Sequence, residues 1–122
     1  MGALAEFPGG RHLTFTAATQ STPYQRVVIV GEKARIEIEV PFNAPPNRVV
    51  RIRIDNGKDL FGGGARVEEF PIVDQYGLQG DVFSKAILEG TKPEFDADDA
   101  VINMRIIEAA FRSGKSGAWE KI

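Results

Sequence analysis

The chain has 122 residues, of which 43% are hydrophobic and 26% charged, and its formal net charge is −2. This length predicts one domain over residues 1–122 that buries about 65% of its unfolded surface in an independent core. The near-neutral charge offers no attraction for nucleic acid or for an anionic membrane. The absence of cysteine excludes disulfides, thiolate zinc sites and cysteine nucleophiles. Because no segment resembles a signal peptide or a membrane span, we expect a cytoplasmic protein.

Alternating apolar and polar residues predict strands through the first half of the chain. A turn at Pro8-Gly9-Gly10 follows a short strand at 3–7, and further strands are predicted at 12–17, 24–30, 34–40, 48–55 and 65–70. The apolar run at 27–30 predicts a strand that is covered on both faces. If the strands at 34–40 and 48–55 are neighbours, Glu37 and Glu39 lie opposite or diagonal to Arg51 and Arg53.

After Asp74 the apolar residues recur at three and four, which predicts a helix that ends at Gly90. A second helix is predicted to begin at Asp96 as N-cap and to end at Gly114 in the left-handed conformation. Its apolar arc is wide, so cover on more than one side is expected. The predicted class is α+β: an open, predominantly antiparallel sheet of about five to six strands, with two C-terminal helices on one face.

No residue pattern predicts a catalytic, cofactor-binding or metal-binding site. His12 is the only histidine, and the chain offers it no histidine or cysteine partner. The stretch 113–117 resembles the end of a phosphate-binding loop, but it ends a helix where such a loop begins one. The glycines at 62–64 lack the spacing of a nucleotide fingerprint and are interpreted as a flexible loop.

Two sets of polar residues remain as candidates for binding. Tyr24, Gln25, Gln75 and Tyr76 lie next to strand or helix ends, where they either support a substrate pocket or tie loops to the sheet. A half-polar sheet face is also a suitable surface for two-fold docking. The residues predicted for that interface are His12, Thr14, Thr16, Arg35, Glu37, Glu39, Arg51 and Arg53.

Four segments together resemble the Gfo/Idh/MocA oxidoreductases across nearly the whole chain. They are TQSTPYQRVVIVG at 19–31, RIEIEVPFNAPP at 35–46, DQY at 74–76 with QGDVFS at 79–84, and NMRII at 103–107 with FRS at 111–113 and Gly117. The resemblance implies a C-terminal α/β domain whose open sheet face commonly forms dimer or tetramer contacts. It also implies an N-terminal Rossmann domain that binds NAD or NADP and is absent from this chain. The family's catalytic segments have no matching positions here.

Two functions are therefore expected as alternatives. In the first, the chain is the oligomerisation and substrate-pocket-supporting domain of an NAD(P)-dependent sugar or polyol oxidoreductase. It then holds no cofactor, is not active alone, and forms a homo-oligomer through the sheet face. In the second, the chain is a free-standing, non-catalytic module that binds a sugar or a protein. The resemblance further implies that Ile102, Ile106 or Ala109 of the second helix is exposed, or is covered by another copy.

Overall fold

A computed structural model describes residues 1–122. The strands are β1 (Gly2–Phe7), β2 (Arg11–Thr16), β3 (Val27–Val30), β4 (Arg35–Ile38), β5 (Val50–Asp55) and β6 (Ala65–Phe70), and the helices are α1 (Gln75–Glu89) and α2 (Ala97–Ser116). All strand pairs are antiparallel, which confirms the predicted α+β fold with an open sheet. The chain divides into a first unit of residues 1–22 and 90–122 and a second unit of residues 23–89.

In the first unit, β1 and β2 form the predicted hairpin around Gly9 and Gly10. Both glycines have positive φ, 81° and 72°, a conformation that glycine adopts without a steric cost. The register runs from Gly2 opposite Thr16 to Phe7 opposite Arg11. Met1 and Ala17 extend the pairing past the ends of the strands, since the nitrogen of each donates a hydrogen bond of 2.8 Å to the carbonyl of the other.

Helix α2 begins as predicted but ends three residues later than predicted. Oδ1 of Asp96 accepts hydrogen bonds from the amides of Asp98 and Asp99, at 2.9 and 3.4 Å. The prediction that Gly114 ends the helix is wrong, because the left-handed residue is Gly117, with φ 67°. The Gly117 amide donates to the Ser113 carbonyl at 2.8 Å, which satisfies one of the free carbonyls of the last turn.

In the second unit, β3, β4, β5 and β6 pair in chain order as a four-stranded sheet. Paired residues share a face, so one side of this sheet, the charged face, carries three rows across the strands. The first row is Val30, Arg35, Asp55 and Ala65; the second is Val28, Glu37, Arg53 and Val67; the third is Glu39, Arg51 and Glu69. The opposite side, the aliphatic face, carries Val27, Ile29, Ile36, Ile38, Val50, Ile52, Ile54, Arg66, Glu68 and Phe70.

The connection between β5 and β6, residues 56–64, is held by side-chain hydrogen bonds. Asp59 accepts from the amides of Phe61 and Gly63 at 2.9 and 2.7 Å, and Asn56 accepts from the amide of Lys58 at 3.0 Å. Gly62 is buried and has a φ of 80°. Carboxylate and amide side chains therefore fix the turns of this loop, and glycine provides the conformation that they require.

Helix α1 agrees with its prediction. Oδ1 of Asp74 accepts from the Tyr76 amide at 3.0 Å, and Gly90 follows the helix with a φ of 64°. Neither this helix nor α2 has the length and apolar character that crossing a membrane requires.

Few apolar side chains are buried in either unit. The buried apolar residues are Ala86 in α1 and Ala109 in α2. The expected cover on both faces of β3 is also missing, because Val28 and Val30 on the charged face and Ile29 on the aliphatic face are each more than half exposed. In α2, Ile102 and Ile106 are exposed at 51% and 40%, as expected for a helix that lacks a partner.

Candidate functional site

The charged face is a lattice of alternating charges. Arg35 pairs with Asp55 at 2.7 Å, and Arg51 pairs with Glu69 at 2.9 Å. Glu37 lies opposite Arg53 in the register, which confirms the predicted placement of acidic residues against arginines. The side chains of Glu37 and Arg53 nevertheless do not pair with each other. Glu37 pairs with Arg26, and Arg53 makes no ion pair within the chain.

Two more charged residues complete this lattice at its β3 and β4 side. Glu39 continues the ladder past β4, since its amide donates to the Arg51 carbonyl at 3.3 Å, and its carboxylate has no ion-pair partner. Arg26, just before β3, reaches Glu37 at 3.2 Å. The hydrogen bond that Arg51 donates to Glu69, together with the charges of Glu69 and Glu39, raises the pKa of Arg51, so its positive charge is permanent.

Asp55 is the one buried charged residue of the chain, at 1% exposure. Its Oδ2 accepts from Nη2 of Arg35 at 2.7 Å, and its Oδ1 accepts from the Gly57 amide at 2.8 Å. The Gly57 hydrogen bond lowers the pKa of Asp55 most, and Arg35 and Arg53 lower it further against the opposing effect of burial. The carboxylate is therefore ionised and serves as the polar anchor of this end of the sheet.

Gly62 lies directly over this anchor. A Cβ atom at Gly62 would be 2.9 Å from Nη2 of Arg53, 3.1 Å from Oδ2 of Asp55 and 3.3 Å from Nη2 of Arg35. The loop 56–64 thus folds onto the charged face over the side chains of Asp55, Arg35 and Arg53. Sequence reasoning missed this contact; its only signal was an aspartate at a strand end followed by a glycine-rich turn.

The predicted pocket-supporting residues lie in the second unit, and two of them share one backbone segment. Oε1 of Gln25 accepts from the amides of Phe42 and Asn43 at 3.4 and 3.3 Å. Nε2 of Gln75 donates to the Phe42 carbonyl at 3.4 Å. The two glutamines therefore both bind the segment 42–43. This segment follows β4, and Gln75 is the first residue of α1, so the hydrogen bonds link the chain after β4 to the start of α1.

The two tyrosines of that set are not bonded to the glutamines. Tyr24 is 76% exposed, and its hydroxyl accepts from Nε of Arg26 at 3.5 Å. This hydrogen bond, followed by the charges of Tyr24, Glu37 and Glu39, raises the pKa of Arg26 against the opposing effect of burial. Tyr76 is 67% exposed and contributes its backbone amide to the cap of α1.

A cleft of about 260 Å³ opens at the β5 start of the aliphatic face. Ile38, Ile52 and Phe70 form its floor, the segments around Pro41, Pro45 and Pro71 form its walls, and Arg48 and Gln75 are its polar groups. This volume is slightly below the ~300 Å³ at which ligand pockets begin. With two polar side chains, the cleft has too few hydrogen-bonding groups to hold a sugar by itself.

The residues predicted for an interface are divided between the two units. His12, Thr14 and Thr16 share one face of β2 in the first unit, opposite Glu6, Leu4 and Gly2. Arg35, Glu37, Arg51 and Arg53 lie on the charged face in the second unit, with Glu39 directly after β4. The charged face is thus a continuous surface without the residues of β2.

Comparison with known proteins identifies the family. Residues 3–122 match the family model described as "Oxidoreductase family, C-terminal alpha/beta domain" of the Gfo/Idh/MocA proteins. The chain belongs to the Gfo/Idh/MocA oxidoreductase family. The match covers both units, so the β1–β2 hairpin, the four-stranded sheet and both helices all belong to the family's C-terminal domain.

Two curated relatives resemble this chain over part of their own length. The uncharacterized oxidoreductase ORF334 of Rhizobium meliloti is 34% identical over 120 residues, which cover 98% of this chain and 36% of that protein. D-xylose 1-dehydrogenase (NADP(+)) 2 of Haloferax volcanii is 28% identical over 100 residues, which cover 82% of this chain and 29% of that protein. The chain therefore spans about a third of the length of these relatives. No solved structure matches it.

Proposed function

We propose that this chain is the sheet-bearing C-terminal part of an NAD(P)-dependent oxidoreductase of sugars or polyols. In that enzyme it supports the wall of the substrate pocket and carries a subunit interface on its open sheet. The observation that carries the proposal is the match of residues 3–122 to the family's C-terminal α/β domain. The sugar class rests on the relative from Haloferax volcanii, whose name gives D-xylose as substrate and NADP(+) as cofactor.

The distribution of exposed apolar residues supports a role within a larger assembly. Ile102 and Ile106 on α2 and Val30 on β3 are all at least 40% exposed, and such surface is normally covered in a functional protein. In the intact enzyme, the nucleotide-binding part would cover some of these residues and would supply the hydride acceptor. This chain then binds and encloses the substrate rather than reacting with it.

Gln25 and Gln75 have a supporting role in this proposal. By fixing the segment 42–43, they hold one wall of the cleft that ends at Gln75. A free-standing sugar-binding module would need the side-chain amides of Gln25 and Gln75 to bind the sugar. One of the two polar atoms in each of these amides is already hydrogen-bonded to the segment 42–43. The structure therefore offers this alternative no specific contact.

The test recombines the chain with a nucleotide-binding part. The portion of the Rhizobium meliloti relative that precedes its matching segment is fused in frame to this chain, and NAD(P)⁺ reduction is followed with D-xylose and related sugars or polyols. We expect reduction by the fusion and none by either part alone, because the hydride acceptor and the pocket wall are then on separate chains. Saturable NAD(P)⁺ binding or turnover by the 122-residue chain alone would contradict the proposal.

A further inference from the structure

The dipeptide Asn56–Gly57, at the start of the loop 56–64, is a candidate for a reaction between two groups of the chain itself. Of the four asparagines, only Asn56 precedes a glycine; the others precede alanine, arginine and methionine. Glycine has no side chain to shield its backbone nitrogen, so that nitrogen can approach the side-chain carbonyl carbon of the preceding asparagine. Asn56 and Gly57 are both exposed, so water reaches them and burial does not protect them.

The reaction is cyclisation to a succinimide, followed by hydrolysis. The Gly57 nitrogen attacks Cγ of Asn56, a new C–N bond forms, and the side-chain nitrogen leaves as ammonia. Hydroxide takes the proton of the Gly57 amide, and water supplies the proton that the leaving nitrogen needs. Water then opens the ring at either carbonyl, which leaves aspartate or isoaspartate at position 56. One water is consumed overall, and nothing is oxidised or reduced. The reacting groups are already adjacent, so no bound partner is required.

Two hydrogen bonds at this dipeptide act on the reaction in opposite directions. The Lys58 amide donates to Oδ1 of Asn56 at 3.0 Å, which polarises the carbonyl and would stabilise the negative charge that develops on Oδ1. The Gly57 amide donates to Oδ1 of Asp55 at 2.8 Å. The group that is attacked is therefore activated, whereas the nucleophile is bonded to another residue.

The hydrogen bond to Asp55 decides between the two effects, because the Gly57 nitrogen has to lose its proton. A carboxylate next to this nitrogen disfavours the amide anion, since like charges repel. Asp55 could assist only as a general base, and such a base works best when its pKa lies near the operating pH. The Gly57 hydrogen bond and, after it, Arg35 lower the pKa of Asp55, so this carboxylate is a weak base at neutral pH.

We infer that Asn56–Gly57 is a deamidation site that the hydrogen bond from the Gly57 amide to Asp55 keeps closed in the folded chain. The reaction then proceeds only from states in which this bond has opened. Asp55 is itself held in place, since it is 1% exposed, accepts from Arg35 at 2.7 Å and lies beneath Gly62. The contacts that hold Asp55 therefore also set the rate of this modification.

The modification changes the loop that contains it and is not reversed by the chain. Either product places a second carboxylate directly after the buried Asp55. Isoaspartate also adds a methylene group to the backbone before Gly57, which moves the Gly57 amide away from Asp55. The modified chain should therefore keep the site open, and the loop 56–64 should be less ordered over Arg35 and Arg53.

The first test compares deamidation with hydrogen exchange in the full wild-type chain in mildly alkaline buffer. Peptide mapping by mass spectrometry gives the deamidation rate at Asn56, and a synthetic peptide of residues 53–60 gives the rate without the fold. We expect the folded chain to deamidate at least about tenfold more slowly than the peptide. The fold should slow hydrogen exchange of the Gly57 amide by the same factor within about threefold, since both reactions require this amide to leave Asp55.

Two results of this comparison would overturn the inference. A folded chain that deamidates as fast as the peptide, or faster, would show that Asp55 leaves the site open or activates it. A Gly57 amide that is much better protected from exchange than Asn56 is from deamidation would show that the reaction does not depend on this hydrogen bond. Neither result requires a variant to fold.

Asp55→Ala then gives the sign of the effect of Asp55. We expect deamidation at least about tenfold faster than in the wild type, because the Gly57 amide loses its acceptor. A slower reaction would identify Asp55 as a general base, and an unchanged rate would assign the closure to other contacts; both contradict the inference.

Asp59→Ala is the matched control for loosening of the loop. It removes another carboxylate of the same connection, which accepts from the amides of Phe61 and Gly63 and not from that of Gly57. We expect its deamidation rate to stay within about threefold of the wild-type rate. If Asp59→Ala accelerated the reaction as much as Asp55→Ala does, general order in the loop would close the site, and the specific role of the Gly57 hydrogen bond would be wrong.

Discussion

Two regions of the chain meet their structural requirements in different ways. At the Asp55 end of the four-stranded sheet, a buried carboxylate has a guanidinium and a backbone amide as partners, and a loop lies over them. Helix α2 is capped at both ends by Asp96 and Gly117, yet its apolar residues remain largely exposed. The polar groups of the first region are satisfied within the chain, whereas many apolar residues of the second are exposed.

This difference separates what short segments stabilise locally from what needs a second surface. Hydrogen bonds and caps act over a few residues, so they form wherever those few residues are present. Apolar burial needs a second surface, and here two alanines are the only buried apolar residues. The comparison predicts that the stability of the Asp55 region changes strongly when a single atom is added or replaced. The stability of α2 should depend chiefly on its capping residues.

The largest effect is expected at Gly62. Gly62→Ala forces an alanine into a φ of 80° and places its Cβ 3.1 Å from the buried Asp55 carboxylate. Arg53 can move its guanidinium away, but Asp55 is held by two hydrogen bonds, so we expect a loss of about 2 kcal/mol in the stability of the β5–β6 hairpin. Amide hydrogen exchange of β5 and β6 measures this loss.

Gly57→Ala is the matched control for Gly62→Ala. Gly57 also has a positive φ, 69°, but a Cβ there has nothing within 4 Å. Its amide still donates to Asp55, so only backbone strain of about 1 kcal/mol is expected. Equal losses in the two variants would show that Gly62 does not pack on the charged face.

The next effect is a dependence of the same hairpin on pH. Because the folded state lowers the pKa of Asp55 from its ordinary value of 3.8, ionised Asp55 stabilises the fold above that value. The stabilisation is lost as the pH falls below about 4 and through the folded-state pKa. We expect Asp55→Asn to be less stable than the wild type at neutral pH and to lose less on acidification.

Hydrogen exchange or thermal unfolding between pH 6 and pH 3 compares these curves. Asp81→Asn, a change of an exposed carboxylate on α1 that makes no ion pair, should follow the wild-type curve. If the stability of Asp55→Asn fell with pH as steeply as that of the wild type, Asp55 would not cause the loss of stability in acid.

The sequence predicted the parts of the fold that local chemistry decides. The alternation at 34–40 and 48–55 predicted Glu37 opposite or diagonal to Arg53 if these strands are neighbours, and the aspartate at 96 marked the start of α2. The four segments that resemble the Gfo/Idh/MocA oxidoreductases predicted the family. Each of these signals lies within a few residues of the feature that it determines.

The contacts that sequence could not predict depend on three-dimensional position. The composition of β3 does not reveal that both of its faces are exposed, so its apolar run was interpreted as a covered strand. Gly62 is buried because the loop folds back over side chains from two different strands. The pairing of Gln25 and Gln75 around Phe42 joins residues that are 50 positions apart in the sequence.

The smallest effects, of opposite sign, are expected at the two glycines near the end of α2. Gly117→Ala puts a side chain on a residue with a φ of 67° and should destabilise the helix by about 1 kcal/mol. Gly114 lies inside the helix, and a Cβ atom there would have nothing within 4 Å. Gly114→Ala should therefore stabilise the helix by about 0.5–1 kcal/mol, because alanine loses less backbone entropy than glycine on folding.

Far-UV circular dichroism during thermal unfolding, with hydrogen exchange of the α2 amides, gives both values. The two substitutions add the same methyl group three residues apart, so only the backbone conformation distinguishes them. If Gly114→Ala were the destabilising change, α2 would end at Gly114 and the Ser113 carbonyl would lack the Gly117 amide as its partner. Both changes act on the backbone of α2 and not on its exposed apolar residues. A helix that is stabilised mainly by its caps should therefore respond to a change at Gly117.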